Sequence, residues 1–123
     1  LDVTSFDCTN HGANTVTLTA TDGSTNDISA TATVTVVDNI DPVAVAQDFT
    51  VALDANGAAS ITTSDIDNGS SDNCSFTLAL DVTSFDCTNL GANTVTLTAT
   101  GSDTHHNSET VYVSVVAKIL KIA

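Results

Sequence analysis

The chain contains much of its own sequence twice. The segment LDVTSFDCTN at residues 1–10 returns unchanged at residues 80–89. The segment that follows it, GANTVTLTAT, also returns, and between the two segments His11 is replaced by Leu90. Leu1 and Leu80 are 79 positions apart, and a fixed period of this kind identifies a repeat protein. A protein extended by repeated units suits a spacer or a display stalk better than a catalyst.

The period divides the chain into one complete unit and a part of another. Residues 1–39 correspond to the C-terminal half of a preceding repeat, residues 40–118 form a complete repeat, and residues 119–123 form a divergent tail. The half-repeat would by itself expose apolar faces and open sheet edges. We therefore expect its missing strands to come from preceding sequence, or else from another copy in a fibre.

The charge of the chain excludes one class of partner. Fifteen acidic residues stand against two lysines, for a net charge of −13. Nothing in this composition neutralises phosphates, so nucleic acid and anionic membranes are not expected partners. The sequence also contains no apolar run of the roughly 20 residues that a helix needs to span a bilayer.

Alternation of apolar and hydroxylated residues predicts strands with one buried face. In NTVTLTAT, at residues 93–100, every second side chain is apolar, and the same holds at residues 111–115 and 32–36. Residues 49–53 and 59–61 alternate on either side of the turn sequence DANG, which predicts a hairpin. The sequence thus predicts an all-β fold, an antiparallel immunoglobulin-like β-sandwich repeated in tandem.

The three cysteines suggest a disulfide. Cys74 and Cys87 flank one strand-sized segment and would close a short loop, worth about 3 kcal/mol. Cys8 is the equivalent of Cys87, so its partner is expected outside the chain. This interpretation implies an oxidising, extracellular setting. The alternative is three buried free thiols.

The strings DNIDPVAV, SDNC, GANTVTLTATDGSTN and ATVTVVD, in this order, resemble the hyalin repeat (HYR), an immunoglobulin-like module. The resemblance is strongest to the version found in long arrays of bacterial surface adhesins, and it covers residues 41–116 and the half-repeat. It implies a secreted or cell-surface protein with a role in cell adhesion and without catalytic activity.

The chain departs from this family pattern at two places. The positions of a second cysteine pair hold Ala46 and Glu109 in the complete unit, and Ala30 in the half-repeat. Around residues 117–121 the linker sequence DNIDP is replaced, so the joint to a further repeat is altered there.

Two acidic clusters suggest calcium as a cofactor. The linker cluster and the loop SDIDNGSSDN carry oxygen ligands of the kind that calcium prefers, and a shared ion would stiffen the joint between repeats. The alternative is that Asp, Asn and Gly are simply turn residues. The candidate ligands are Asp38, Asn39, Asp41, Asp65, Asp67, Asp72 and Asn73.

The histidines do not indicate catalysis. His11 is leucine in the second copy, and His105 and His106 lie in a predicted hairpin loop without a traceable nucleophile and base. We therefore expect no enzyme. The sequence predicts a structural repeat of a secreted adhesin or extracellular fibre, with neighbouring repeats as partners and a surface glycan or protein as a candidate ligand. The alternative is a carbohydrate- or substrate-binding accessory module of a secreted enzyme.

Overall fold

The structure, a computed structural model, describes residues 1–117. Its contacts divide the chain into two compact units, Leu1–Asn39 and Ile40–Ala123. The described part is mostly strand and contains one helix of four residues, α1. The predicted all-β class is therefore confirmed. The predicted tail, residues 119–123, lies outside the described residues.

The first unit is a β-hairpin that follows a short 3-10 helix, Cys8–Asn10. Strand β1 (Gly12–Thr21) pairs with β2 (Asp27–Val36) in antiparallel register from Gly12↔Val36 to Thr21↔Asp27. The Asp22 carboxylate accepts backbone N–H groups of Ser24 and Asn26 and so closes the turn. The turn residue Thr25 has φ of 65°, a conformation that this hydrogen bonding helps to hold.

The second unit contains two sheets and the helix. Its elements are β3 (Phe49–Ala52), β4 (Ala58–Ser60), α1 (Thr63–Ile66), β5 (Phe76–Leu80), β6 (Ser84–Asp86), β7 (Gly91–Gly101) and β8 (His106–Val116). The larger sheet has the strand order β3-β8-β7-β5, and the smaller sheet pairs β4 with β6. A 3-10 helix at Cys87–Asn89 precedes β7.

The two copies of the repeated sequence adopt the same local structure. The β7–β8 hairpin runs from Gly91↔Val115 to Thr100↔His106, which repeats the β1–β2 register at the offset of the sequence repeat. Thr104 has φ of 63°, as Thr25 does in the other turn. The two copies thus form the same hairpin although their second strands differ in sequence.

The hydrophobic core of the second unit is built on the predicted alternation. Val95, Leu97 and Ala99 on β7 are fully buried, and Val113 on β8 is buried beside them. Side chains from the smaller sheet, from α1 and from β3 complete the same cluster, so both sheets share one core. The buried members of that cluster are Leu53, Ile61, Ile66, Phe85, Val95, Leu97, Val111, Val113 and Val115.

The corresponding face of the first unit is exposed. Leu18 has the sequence position of Leu97, yet 59% of its surface is accessible, whereas that of Leu97 is 0%. Ile28, on the partner strand, is 75% exposed. The first unit therefore forms its strands but leaves much of their apolar face open.

The structure corrects two details of the predicted topology. The turn at Asp54–Gly57 forms, with the Gly57 N–H donating to the Asp54 carbonyl over 3.0 Å. However, β3 joins the larger sheet and β4 the smaller one, so the predicted hairpin across this turn is wrong. In addition, β3 pairs with β8 in parallel, from Phe49↔Val113 to Ala52↔Val116, so the larger sheet is mixed rather than antiparallel.

Leu97→Ala and Leu18→Ala form a matched pair of substitutions at one repeat position. We expect Leu97→Ala to lower the free energy of unfolding by about 3 kcal/mol, because it leaves a cavity in the core. Leu18→Ala should change it by less than about 0.5 kcal/mol, because that side chain is largely exposed. Urea unfolding followed by circular dichroism measures both values, and similar costs for the two variants would contradict the assigned core.

Candidate functional site: the two ends of the complete unit

The complete unit presents polar side chains at the end where its chain begins. Asp41 accepts from His105, with 2.7 Å between Oδ1 and Nδ1. Close by, a Cβ atom built on Gly101 would lie 2.8 Å from Asp72 Oδ2 and 3.6 Å from Pro42 Cδ. We call this group, consisting of Asp41, Pro42, Asp72, Gly101 and His105, the entry end.

One oxygen at the entry end is buried without a hydrogen-bond partner. Asp72 Oδ1 accepts the backbone N–H of Asn73 over 2.8 Å, but Asp72 Oδ2 has no partner among the described residues. Buried polar atoms are rarely left unsatisfied because each costs about 1–3 kcal/mol. A water molecule or a cation would satisfy this oxygen. A side chain at Gly101 would displace this carboxylate, since its Cβ atom would lie 2.8 Å from Oδ2.

Two other predicted calcium ligands have structural roles away from this end. Asp65 Oδ2 accepts the Thr62 backbone N–H over 2.9 Å and caps α1. Asp67 Oδ1 accepts the Ser70 N–H over 2.9 Å. Asp67 also forms a β-bridge with Ala46. Ala46 is three residues after Val43, which directly follows Pro42 of the entry end. That spacing places Asp67 about 10 Å from the entry end.

The structure thus brings together only some of the seven predicted ligands. Asp41 and Asp72 lie at the entry end with Asn73 next to Asp72, Asp65 lies in α1 and Asp67 directly follows α1, and Asp38 and Asn39 belong to the first unit. In residues 1–117, no three Asp, Glu, His or Cys side chains form a group suited to a metal ion. A calcium ion here would need backbone carbonyls or water for many of its six to eight oxygen ligands.

The hydrogen bonds around Asp67 affect its titration. Donation from the Ser70 side chain, followed by donation from the Ser70 backbone, lowers the pKa of Asp67 below its usual value of 3.8. The Asp86 pKa is lowered in the same way, first by the Thr88 hydroxyl and then by the Thr88 backbone N–H. These carboxylates therefore stabilise their loops in the ionised form.

The predicted disulfide pairing is wrong. The structure holds Cys8 and Cys74 in disulfide form and Cys87 as an exposed free thiol. Cys74 is therefore not bonded to Cys87, and Cys8 is not bonded to a residue outside the chain. The presence of a disulfide agrees with the predicted oxidising environment.

The geometry of the complete unit explains why Cys74 and Cys87 do not pair. Cys74 is two residues before Phe76, which pairs with Gly101 at the entry end. Cys87 lies at the opposite end, where a Cβ atom on Gly57 would be 2.9 Å from its Sγ. The length of β7, 11 residues, puts these ends about 30 Å apart. A disulfide needs Cα atoms within about 7 Å.

The end that carries Cys87 is also where the described chain leaves the unit. Gly91, at the start of β7, pairs with Val115 near the end of β8. The Leu53 N–H donates to the Val116 carbonyl over 2.9 Å and brings the turn with Gly57 to the same place. We call this group, consisting of Gly57, Cys87, Gly91, Val115 and Val116, the exit end.

The sequence analysis missed a set of side-chain bonds that hold residues 43–48 to β8. Asn107 Oδ1 accepts from the Ala44 N–H, and Glu109 Oε2 accepts from the Ala46 N–H, each over 2.8 Å. Positions 46 and 109, where the resemblance implied a cysteine pair, are thus neighbours. The sequence did mark this position as unusual. Glu109 is the only glutamate, and the equivalent residue of the half-repeat is Ala30.

The comparisons with known proteins give no assignment. No protein-family model matches the chain, and the search of the curated proteins returns no match. Among residues 1–117, no helix is long and apolar enough to cross a membrane.

Substitution of Asp67 by Asn tests its role as an ionised acceptor. A pKa lowered by folding adds stability above the unfolded-state value near 3.8, and this stability is lost as the pH falls through the folded-state pKa. We therefore expect wild type to lose more stability than Asp67→Asn between pH 6 and about pH 2 in urea unfolding experiments. Asp27→Asn, in the first unit, controls for the loss of one charge. An Asp67→Asn profile parallel to that of wild type would contradict the assignment.

Proposed function

We propose that this chain is a structural part of a secreted or cell-surface adhesin or extracellular fibre. In this proposal, immunoglobulin-like β-sandwich repeats are joined in a linear array that provides length and stiffness. The proposal assigns the chain no catalytic role. Its natural partners are neighbouring repeats, and adhesion to a glycan or protein belongs to the full assembly.

One observation carries the proposal. The complete unit begins at its entry end, beside Gly101, and its last strand finishes at the exit end, beside Gly91. Units whose two chain ends lie about 30 Å apart extend an array with every copy added, whereas units with adjacent ends need not. The repeated sequence and its identical hairpin register support the same interpretation.

The exposed face of the first unit supports a repeat partner. Leu18 and Ile28 lie on the face that, in the complete unit, is covered by α1, β3 and the smaller sheet. We propose that the front half of a repeat covers this face, either from the same polypeptide or from another copy. The hyalin-repeat resemblance supports the same domain type.

Scattering from chains of increasing length tests the array. Copies of residues 38–118 are appended after Val116, so that each new joint repeats the sequence at Val37 and Asp38. We expect the maximum dimension in small-angle X-ray scattering to rise by about 30 Å per added copy, the length of β7. A radius of gyration that instead grows with about the 0.38 power of chain length would show collapse into a globule and contradict the proposal.

We also propose that calcium binds at the entry end. Its support is the unpartnered Asp72 Oδ2, the nearby Asp41 carboxylate and the net charge of −13, which favours cation binding. Bound calcium would supply positive charge to Asp72, and water and carbonyl oxygens would complete its ligand set.

Thermal melting in calcium and in EDTA tests this site. Calcium at about 100 times its Kd should stabilise the unit by about 2.7 kcal/mol and raise the melting temperature. Asp72→Asn should abolish most of that difference, while Asp27→Asn, which removes the same charge from the first unit, should retain it. Equal melting temperatures of wild type in calcium and in EDTA would exclude the site.

A further inference from the structure

The complete unit carries one cysteine at each end, and the two cannot bond to each other within it. Cys74 lies at the entry end and Cys87 at the exit end, about 30 Å away along β7. A pair of cysteines so placed cannot close a loop inside the unit. Each must therefore act separately, and Cys87 is the one that carries a free, exposed thiol.

The first copy shows what a cysteine in the position of Cys87 does. Cys8 begins the same 3-10 helix, and Asp7 caps it by accepting the Thr9 N–H over 2.9 Å. Around Cys87, Asp86 accepts the Thr88 N–H over 2.8 Å in the same arrangement, with cap φ of −135° in both copies. Cys8 is in a disulfide. The same scaffold therefore presents its cysteine for cross-linking.

We propose that Cys87 is a cross-linking site that forms a disulfide with the entry-end cysteine of another repeat, at the position of Cys74. Disulfides would then join successive repeats instead of closing a loop within each one. This inference rests on the proposed array, because only an end-to-end arrangement brings an exit end close to an entry end.

The bonding step is an ordinary thiol–disulfide exchange. Oxidised glutathione, or another low-molecular-weight disulfide, serves as the oxidant. The Cys87 thiolate attacks one of its sulfurs and releases one reduced glutathione. The thiolate at the Cys74 position of the other repeat then attacks Cys87 Sγ and releases the second. Two thiols are oxidised to one disulfide, and one disulfide is reduced to two thiols.

Placing the free thiol beside a second repeat tests the proposal directly. The full chain is extended after Val116 with one copy of residues 38–118 and refolded in a glutathione buffer. The short joint gives the two facing cysteines a high effective concentration. Alkylation without reduction, followed by mass spectrometry, should find one free thiol, at the appended copy of Cys87. Digestion at aspartate should yield a linked peptide pair containing Cys87 and the appended copy of Cys74.

The matched control is Cys87→Ser in the same extended chain. It should leave the appended copies of both Cys74 and Cys87 as free thiols. Cys8 and Cys74 should remain in disulfide form. Two results in the extended wild type would overturn the proposal. One is a bond between the two appended cysteines, and the other is alkylation of all three cysteines, Cys87 and the two appended ones.

A second variant covers the case in which the extended chain does not fold. Cys8→Ser in the unextended chain leaves Cys74 and Cys87 as its only cysteines. Under the same oxidation, we expect disulfide-linked oligomers whose bonds join Cys87 of one chain to Cys74 of another. Mixed isotope-labelled and unlabelled chains distinguish these bonds from internal ones. A monomer with an internal Cys74–Cys87 bond, or oligomers without the mixed pairing, would overturn the proposal.

The failure of this proposal can be told from the failure of the array. Small-angle scattering of the extended chain under reducing conditions measures its length without any disulfide. A long chain whose cysteines do not pair across the joint would remove the cross-link and leave the array. A compact chain would remove the array itself.

Discussion

The complete unit depends on the burial of one face of the β7–β8 hairpin. Val95, Leu97 and Val113 are wholly inaccessible, and the remaining core side chains of the unit pack against them. The opposite face of the hairpin is polar, with Thr98 and Ser108 bonded through their hydroxyls. Burial of this apolar row is the main favourable term for a unit with few aromatic side chains.

The two copies separate local from tertiary determinants of structure. The β1–β2 hairpin has the register and the turn conformation of β7–β8, although Leu18 is exposed where Leu97 is buried. The hairpin therefore forms with the same turn and alternation whether or not this position is buried, whereas the core requires strands from elsewhere in the repeat. Strand β6 shows the same dependence on a partner strand. The equivalent residues of the first unit, 5–7, form no strand, and the first unit contains no strand equivalent to β4.

Sequence patterns predicted what is periodic and local. The alternation around Val95 and Val113 identified the buried face, and the repeat identified the paired hairpins. The pattern at residues 49–61 did not reveal that its two halves join different sheets, because a turn signal fixes the chain reversal and not the pairing partners. The disulfide was mispredicted for a related reason. Twelve residues lie between Cys74 and Cys87, and their extended path through β5 and β6 carries the two cysteines to opposite ends.

The candidate site was predictable in its residue types but not in its geometry. Asp41 and Asp72 lie close to Gly101, while Asp65 and Asp67 are used to cap local turns. Asp and Asn serve both purposes, so composition alone does not separate them. Only the fold distinguishes a carboxylate with a bonded oxygen from one, such as Asp72, whose Oδ2 lacks a partner.

The parallel pairing of β3 with β8 has a mechanical consequence. Tension applied between the entry and exit ends pulls β3 back toward the entry end and β8 onward past the exit end. The two strands are then loaded in shear. The hydrogen bonds between them bear the force together instead of breaking one after another. This geometry suits a molecule that must withstand a sustained pull along its length.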